Sequence, residues 1–334
     1  MAKKLNTKPI LKSDLSFPNF DDIKVSTKTF TATTNLDIKI DKLFEILPIT
    51  NYVVTIKKRG RKKKGVSINQ NEQIKPGSIV TVKFQNILRG VELKPKKTKQ
   101  KKRKWFRNSI TVVIILDKPI NFKVCRNGTF QMTGCKTHEH AEECVKNIWN
   151  IIKDKKDDIY TFTRGNTLET LFIPSMRNID FSLGFLVDRE KLNKYICTEK
   201  KFHCLLETSF GYTGVNIKVP LQHDIKTMRV IKLIYDKDNN SWVKSLTTYN
   251  EYLELLTPKE KETKLKVERY NTFLVFHSGK IIVSGLTSDF MRQVYYEFTE
   301  IIKEAFDHIE ERLDVDDDNE LSLEEELAAL ELEL

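Results

Sequence analysis

The sequence predicts an α+β fold built from two copies of one unit, a β-hairpin followed by an amphipathic helix. Segments 121–134 and 272–285 match at a constant offset, with Phe, Val and both glycines in register. Both segments alternate as strands do, and each is followed by apolar residues at helical spacing. A long internal repeat of this kind indicates two half-domains related by a pseudo-twofold axis. We therefore expect function in the groove between them.

The other elements follow in chain order. The Thr-rich residues 28–43 predict a strand that leads into a short helix, and residues 78–84 and 109–116 have strand patterns. Gly128 allows a tight turn within the first hairpin. The helices that follow the hairpins should bury one face each: Ala141, Cys144, Val145, Ile148, Ile151 and Ile152 in the first, and Val294, Tyr295, Phe298, Ile301 and Ile302 in the second.

Changes in composition divide the chain into a series of segments. Two lysine-rich blocks lie in one of them, and like charges at that density belong in solvated loops. We predict an N-terminal tail 1–24, a first repeat 25–156 with a basic insertion 57–104, a second repeat 157–312 with an insertion 221–268, and an acidic C-terminal tail 313–334.

Charge and cysteine usage limit the class of protein. The net charge is +11, but residues 314–334 hold ten acidic side chains and no Lys or Arg, so the rest of the chain carries +21. A body that basic attracts polyanions such as nucleic acid or acidic lipid. No apolar run approaches a membrane span, and the start lacks the apolar stretch of a signal peptide. Five cysteines without a CxxC pair favour reduced thiols, so we expect a soluble intracellular protein.

Strand alternation assigns the hairpin residues to two faces. One set should pack against the helices: Phe122, Val124, Phe130, Met132, Phe273, Val275, Ile281 and Val283. The other set has no helix to cover it: Lys123, Cys125, Gln131, Thr133, Leu274, Phe276, Ile282 and Ser284. Three of these are apolar and lie in the second repeat, and an exposed apolar patch of this kind needs a partner or a ligand.

The second hairpin carries a family resemblance. Residues 274–285, LVFHSGKIIVSG, resemble the second-repeat segment LIFVSGKVVLTG of the TATA-box-binding protein (TBP) family, and residues 32–41 resemble its opening STVNLGCKLD. Asn127-Gly128 and 133–136 are similar to its SSGK and TGAK, 176–178 stand where the family has IQN, and 209–211 are similar to its LFPG. The resemblance covers about two thirds of the chain in pieces.

The resemblance implies a saddle, a curved antiparallel sheet with helices on its convex face, whose concave face binds the DNA minor groove. Such proteins bend DNA by inserting apolar side chains between base steps. It implies that Phe276 and Phe210 are wedges, that Asn178 contacts minor-groove acceptors, that Thr133 and Ser284 are a symmetric pair, and that Leu274 and Ile282 form the apolar floor. It also implies that a IIB-type factor binds near Glu207 and Phe210, and that RNA polymerase is recruited.

Departures from the family pattern fall mostly in the first repeat. Lys123, Cys125 and Gln131 stand where Leu, Phe and Val are expected, and Thr29 replaces an Asn. Phe106, or Trp105, could supply a wedge there. Thr31 belongs to the same predicted DNA-binding face. The pattern is most similar to that of TBP-like factors from large DNA viruses.

The basic blocks leave two interpretations open. They are either nuclear-targeting or solubilising loops, or they contact phosphates and add affinity without reading sequence. The candidate phosphate contacts are Lys57, Lys58, Arg59, Arg61, Lys62, Lys63, Lys64, Lys101, Lys102, Arg103 and Lys104.

Two metal-like patterns are also present. Cys135, His138, His140 and Cys144 have zinc-ligand chemistry, but one helix cannot direct all four towards a tetrahedral ion. In the tail, Asp314, Asp316, Asp318, Glu320 and Glu325 occupy calcium-ligand positions of an EF-hand loop. We favour instead a solvated acidic tail that competes with DNA for the basic face or recruits a basic partner. We therefore predict no metal and no cofactor.

The function predicted from the sequence is that of a TBP-like transcription initiation factor which binds and bends promoter DNA as a monomer at the site of transcription. The alternative is a protein-interaction platform or polyanion binder of the same fold that no longer bends DNA. A weaker alternative is an RNA or single-strand binder, which should carry aromatic residues on the sheet in both halves. Since no catalytic constellation stands out, we expect no enzymatic activity.

Overall fold

Each repeat forms the same series of strands, with its long helix at the end. The computed structural model describes residues 11–53, 74–93, 106–198, 202–206 and 214–311, with the backbone only for 203–206. The strands are β1 Val25–Thr34, β2 Leu36–Ile38, β3 Ser78–Phe84, β4 Ile87–Gly90, β5 Ser109–Ile115, β6 Pro119–Cys125, β7 Thr129–Cys135, β8 Tyr160–Phe162, β9 Glu169–Ser182, β10 His203–Leu206, β11 Gly214–Pro220, β12 Arg229–Asp236, β13 Ser241–Thr248, β14 Tyr270–Phe276 and β15 Lys280–Gly285. The helices are α1 Ile40–Ile46, α2 His138–Ile152, α3 Arg189–Ile196, α4 Tyr249–Glu254, α5 Pro258–Lys266 and α6 Ser288–Ile309.

The main sheet has the same strand order on both sides of its centre. Strands β1 and β9 pair antiparallel in the middle. Outwards from β1 the order is β7, β6, β5 and β3, with β4 at the edge, and outwards from β9 it is β15, β14, β11 and β10. All of these pairs are antiparallel, and each series corresponds to the same order of elements in its own repeat. The predicted two-repeat α+β fold is confirmed.

The long helices α2 and α6 pack on one face of this sheet. Ala141, Cys144, Val145, Ile148 and Ile152 are buried in the first repeat, as predicted, while Ile151 is only partly buried. In α6, Val294, Tyr295, Phe298 and Ile302 are buried, and Ile301 is partly buried. The Phe298 ring stacks on Phe273 of β14 with centroids 4.0 Å apart. The 3.6-residue pattern therefore identified the core face of both helices.

Both hairpins turn at a glycine that the rest of the repeat requires. Gly128 and Gly279 have φ angles of +67° and +72°, which favour glycine over residues with a side chain. A Cβ atom would lie 2.4 Å from the Leu36 carbonyl oxygen at Gly128, and 2.1 Å from the Phe185 carbonyl oxygen at Gly279. The tight turn thus also allows close packing against the segment that follows the central strand.

Two further segments pack on this framework. The hairpin β12–β13 extends from the first half of β9, and Tyr235 packs on Trp149 of α2 with ring centroids 5.4 Å apart. Residues 221–268 therefore contact the core of the first repeat. Within residues 11–24, Phe20 packs on Tyr295, whose hydroxyl donates a 2.6 Å hydrogen bond to the Pro18 carbonyl. Within the described ranges, no helix combines the length and the apolar character that crossing a membrane requires.

Candidate nucleic-acid interface

Among the described residues, α2 and α6 cover one face of the sheet, and no long helix covers the other, here called the open face. The helix-facing residues predicted from alternation are all buried, from Phe122 at 1% exposure to Val283 at 0%. Their alternates, from Lys123 to Ser284, are half-buried or exposed in both repeats. Residues directly opposite on paired strands have their side chains on the same side, so the hairpin register places these residues on one face within each repeat. The predicted assignment of hairpin residues to two faces is confirmed.

In the second repeat the open face is apolar. Leu274 pairs with Ile282, and Phe276 pairs with Gly214 of β11, where a Cβ atom would lie 2.9 Å from a Leu274 methyl carbon. These side chains are only half-buried. A cavity of about 980 Å³, here called the second-repeat cavity, opens beside them. It is lined by Asp180, Phe181, Ser182, Arg189, Phe276, His277, Ser278, Lys280, Ile281 and Ile282.

In the first repeat the same positions are polar. Lys123 pairs with Gln131, and Cys125 pairs with Ser109. A first-repeat cavity of about 840 Å³ is lined by Asp37, Phe106, Asn108, Ser109, Lys123, Cys125, Arg126, Asn127, Gln131 and Thr163. Phe106 is 70% exposed, and the Lys123 ammonium lies 4.2 Å from its ring centroid. Phe106 thus lies beside the open face, where the sequence placed a candidate wedge.

Burial also affects the chemistry of the cysteine in this cavity. Desolvation raises the pKa of the Cys125 thiol above its ordinary value, and the nearby positive charge of Lys123 only partly opposes this. The thiol is therefore neutral near pH 7 and behaves as a small apolar group. The Cys125 side chain is much smaller than that of Phe276, which holds the equivalent position in the second repeat.

Polar side chains occupy the centre of the open face. Asn178 of β9 pairs with Ser284 of β15. Its counterpart in the first repeat is Thr29 of β1. Thr29 lies between two residues that pair with β7, Lys28 and Phe30. The Asn178 side-chain oxygen is buried and has no hydrogen-bond partner among the residues that the structure describes.

The second predicted threonine lies next to this centre. Thr31 of β1 pairs with Gln131, and its hydroxyl lies 3.0 Å from the hydroxyl of Ser175 in β9. Thr133 is exposed on β7, where its hydroxyl donates a 3.4 Å hydrogen bond to the Asn121 carbonyl. The structure therefore brings the predicted Thr, Asn and Ser residues together along the middle of one face.

One open-face residue was missed by the sequence reasoning. Asp180 pairs with Ile282, which makes it the counterpart of Thr31, the residue that pairs with Gln131. It is exposed and accepts a 3.2 Å hydrogen bond from the Ser26 hydroxyl. Alternation from Asn178 along β9 would have found it, had that strand been sorted by face as the hairpins were. A carboxylate here opposes the approach of phosphate groups.

Several predicted site residues lie outside the described residues. These are the wedge candidates Phe210 and Trp105, the partner residue Glu207, the basic residues 57–64 and 101–104, and the calcium-loop residues 314–325.

Two of the four residues with zinc-ligand chemistry around the start of α2, His140 and Cys144, have partners within the protein. Cys135 and Cys144 are buried, and desolvation raises the pKa of Cys135 to about 11. The Cys144 thiol donates to the His140 carbonyl at 3.1 Å, and the His140 Nε2 atom lies 2.9 Å from Asp117 Oδ1. Among the residues that the structure describes, no group of three or more His, Cys, Asp or Glu side chains could hold a metal ion.

Comparisons with known proteins agree with the family resemblance of the hairpins. No family model matches the chain. It is 27% identical over 308 residues to uncharacterized protein 335L of Invertebrate iridescent virus 6, covering 90% of this chain and 89% of that protein. It is 30% identical over 235 residues to a protein of Acanthamoeba polyphaga mimivirus named TATA-box-binding protein-like, covering 60% of this chain and 55% of that protein. The predicted similarity to a viral TBP-like protein is thus confirmed.

The chain spans about half the length of the mimivirus relative. Among solved structures, TBP of Methanococcus jannaschii matches with a TM-score of 0.39 and 14% identity over 86% of this chain and 99% of that chain.

Proposed function

We propose that this protein is a TBP-like transcription initiation factor that binds promoter DNA in the minor groove through the open face of its sheet. The observation that carries the proposal is the apolar patch of Leu274, Phe276 and Ile282 on a face that no long helix covers. The similarity to a viral protein named TATA-box-binding protein-like supports it. So does the basic body of the chain.

The arrangement suits a face that bends DNA. A half-buried phenylalanine at the outer end of the sheet can enter a base step, and the unstacking costs a few kcal/mol, which the larger contact area offsets. The central hydroxyl and amide side chains, including Asn178, can bond the acceptors that line the minor groove. Basic side chains add affinity for phosphates that does not depend on base sequence.

A bending assay on the full chain tests the proposal. Fluorescent dyes at the two ends of a duplex report the bend, with a TATA-containing and a scrambled sequence compared at one salt concentration. Phe276→Ala should reduce affinity for the TATA duplex by roughly tenfold or more, because a buried phenylalanine side chain is worth about 1.5–3 kcal/mol. The bend should also decrease. Cys125→Ala, at the equivalent position of the first repeat, is the matched control and should change affinity by less than about twofold.

Equal, unbent binding to both duplexes, unchanged by Phe276→Ala, would contradict the proposal. That result would support the second candidate, an interaction platform or polyanion binder that keeps the fold without bending DNA. Asp180 in the second repeat and the polar first-repeat face favour this candidate, because each weakens its own half of the contact with a kinked groove.

The proposal extends to partners and place of action. A IIB-like factor and RNA polymerase would join the protein on promoter DNA, and we propose that it acts as a monomer inside the cell, where transcription occurs. Glu207→Arg should abolish binding of the IIB-like factor to the protein–DNA complex, while the added positive charge should raise rather than lower the DNA affinity. Gel-shift titration with the factor measures both quantities, and a factor that still binds with unchanged affinity would remove Glu207 from the contact.

A further inference from the structure

The last described residues lie at the wall of the second-repeat cavity. Glu310 forms a bridge with Val187, and the Glu311 N–H donates a 2.9 Å hydrogen bond to the Leu186 carbonyl. The Glu311 carboxylate lies 2.7 Å from His277 Nε2. Since His277 lines the cavity and neighbours Phe276, the chain leaves the described structure beside the apolar patch.

The first repeat shows the course that the chain takes after its long helix. There, β8 follows α2 and pairs with β2, as the residues after α6 pair with 186–187. The Ile38 N–H donates to the Arg126 carbonyl at 2.7 Å, and the Val187 N–H donates to the His277 carbonyl at 2.9 Å, so the two paths begin alike. Directly after β8 the chain reaches Thr163, which lines the first-repeat cavity. The same path in the second repeat would bring the residues after Glu311 to the wall of the second-repeat cavity.

The segment that follows Glu311 complements this cavity. Residues 312–334 contain ten acidic side chains and seven leucines. The cavity is lined by Phe276, Ile282 and Phe181 and by the charged residues Arg189, Lys280 and Asp180. The Glu311 carboxylate is paired with His277 at its wall. Leucine side chains can cover the apolar surface, and the carboxylates are attracted to a body that carries a large positive charge. Twenty-three residues span at most roughly 75 Å when extended, so length does not limit the contact.

We propose that the acidic C-terminal segment 312–334 folds back along this path, occupies the second-repeat cavity and covers Phe276. The part of the proposal that concerns competition with DNA rests on the proposed function. The docking itself does not, and it is tested in the absence of DNA.

Site-specific photocrosslinking in the full chain tests the docking. Benzoylphenylalanine is incorporated at position 276 and, as the matched control, at position 125 of the first repeat. Position 276 should crosslink within residues 312–334 of the same chain, as mapped by peptide mass spectrometry, and position 125 should not. Replacing the ten carboxylates by amides should lower the yield at position 276 by about fivefold or more at low salt. Absence of crosslinks to the segment, or equal yields at both positions, would overturn the proposal. Crosslinks between two chains would assign the cavity to a second copy and would overturn it as well.

Duplex binding gives the second readout. If the segment competes with DNA, the amide-substituted full chain should bind a duplex about tenfold more tightly at low salt, and the gain should shrink as salt screens the charges. If no variant binds or bends DNA, the proposed function fails while the crosslinking result still decides the docking. An intramolecular crosslink without any gain in DNA affinity would overturn the competition.

Discussion

The helix-facing and open faces of the two repeats differ in how closely they match. On the helix side, Phe122 and Phe273 occupy equivalent positions, and both are at most 1% exposed. On the open side, the position that holds Phe276 in the second repeat holds Cys125 in the first, and the position of Ile282 holds Gln131. A cavity lies beside this face in each repeat, lined by Phe276 and Ile282 in the second repeat and by Cys125 and Gln131 in the first.

This difference separates the requirements of folding from those of binding. Helix-facing side chains must fill a dense core, so a change of one methylene already costs stability. Open-face side chains have no long helix to pack against, so their identity is free to follow a ligand. The second repeat therefore presents apolar side chains on the open face, and the first repeat presents polar ones at the equivalent positions.

The largest expected effect is on stability and concerns the helix-facing sides of the two repeats, which match closely. Phe273→Ala and Phe122→Ala should each lower the free energy of unfolding by about 3–5 kcal/mol, because each leaves a cavity in a packed core. Urea unfolding followed by circular dichroism measures both. A loss below about 1 kcal/mol in one repeat only would show that the two cores are not equivalent, which would break the comparison.

The second prediction concerns a substitution that makes the open faces of the two repeats more alike. Cys125→Phe restores an apolar wedge in the first repeat, where the first-repeat cavity has room for it. We expect duplex affinity to rise about tenfold and the bend to increase, since the added side chain would bury apolar area on DNA. Cys125→Ser, which keeps the size, is the control and should leave both quantities unchanged. If Cys125→Phe has no effect on DNA, the first repeat does not approach a base step.

A third effect compares the short helices that follow the central strands. In α3, the Asp188 side chain caps the helix by accepting 3.0 Å hydrogen bonds from Glu190 and Lys191 N–H groups. Lys39, which precedes α1 in the first repeat, makes no such cap. Asp188→Ala should therefore cost about 1 kcal/mol of stability at neutral pH, and Lys39→Ala less than about half of that.

The pH dependence of this cap has a definite sign. Hydrogen bonds, first that from the Lys191 N–H, hold the pKa of Asp188 below its ordinary value. The cap is thus fully present above the ordinary carboxylate range and is lost as the pH falls through the lower folded value. Thermal unfolding of the unmodified protein and of Asp188→Ala is measured between pH 7 and pH 2. The difference in stability between the two should shrink as the pH falls. A constant difference would mean that Asp188 acts by packing.

The sequence predicted the parts of this fold that follow a local period. Alternation identified the buried residues of both hairpins, and helical spacing identified the core face of α2 and α6, because each pattern reflects burial on one side. The packing of β12–β13 on α2 was not predictable, since it depends on Tyr235 meeting Trp149 far away in the chain. The docking of residues 11–24 on α6 depends in the same way on distant partners for Phe20.

The candidate site was only partly predicted. The hairpin residues were found because they belong to the repeat. Asp180 lies two residues after Asn178 on β9, in a continuous register with β15, so alternation along this strand would have found it. Only the hairpin strands were assigned to faces from the sequence, because only they carry the repeat.

The smallest expected effect concerns this carboxylate. Asp180→Asn keeps the size of the side chain and its acceptor for the Ser26 hydroxyl, and it removes one negative charge from the open face. Duplex affinity should rise by roughly threefold at low salt, because a single exposed charge near phosphate is worth under about 1 kcal/mol. Thr31→Asn, at the equivalent place in the first repeat, changes no charge and is the matched control. Salt titrations of both variants decide the matter: a gain for Asp180→Asn that persists at high salt would mean that shape rather than charge limits binding at this half of the face.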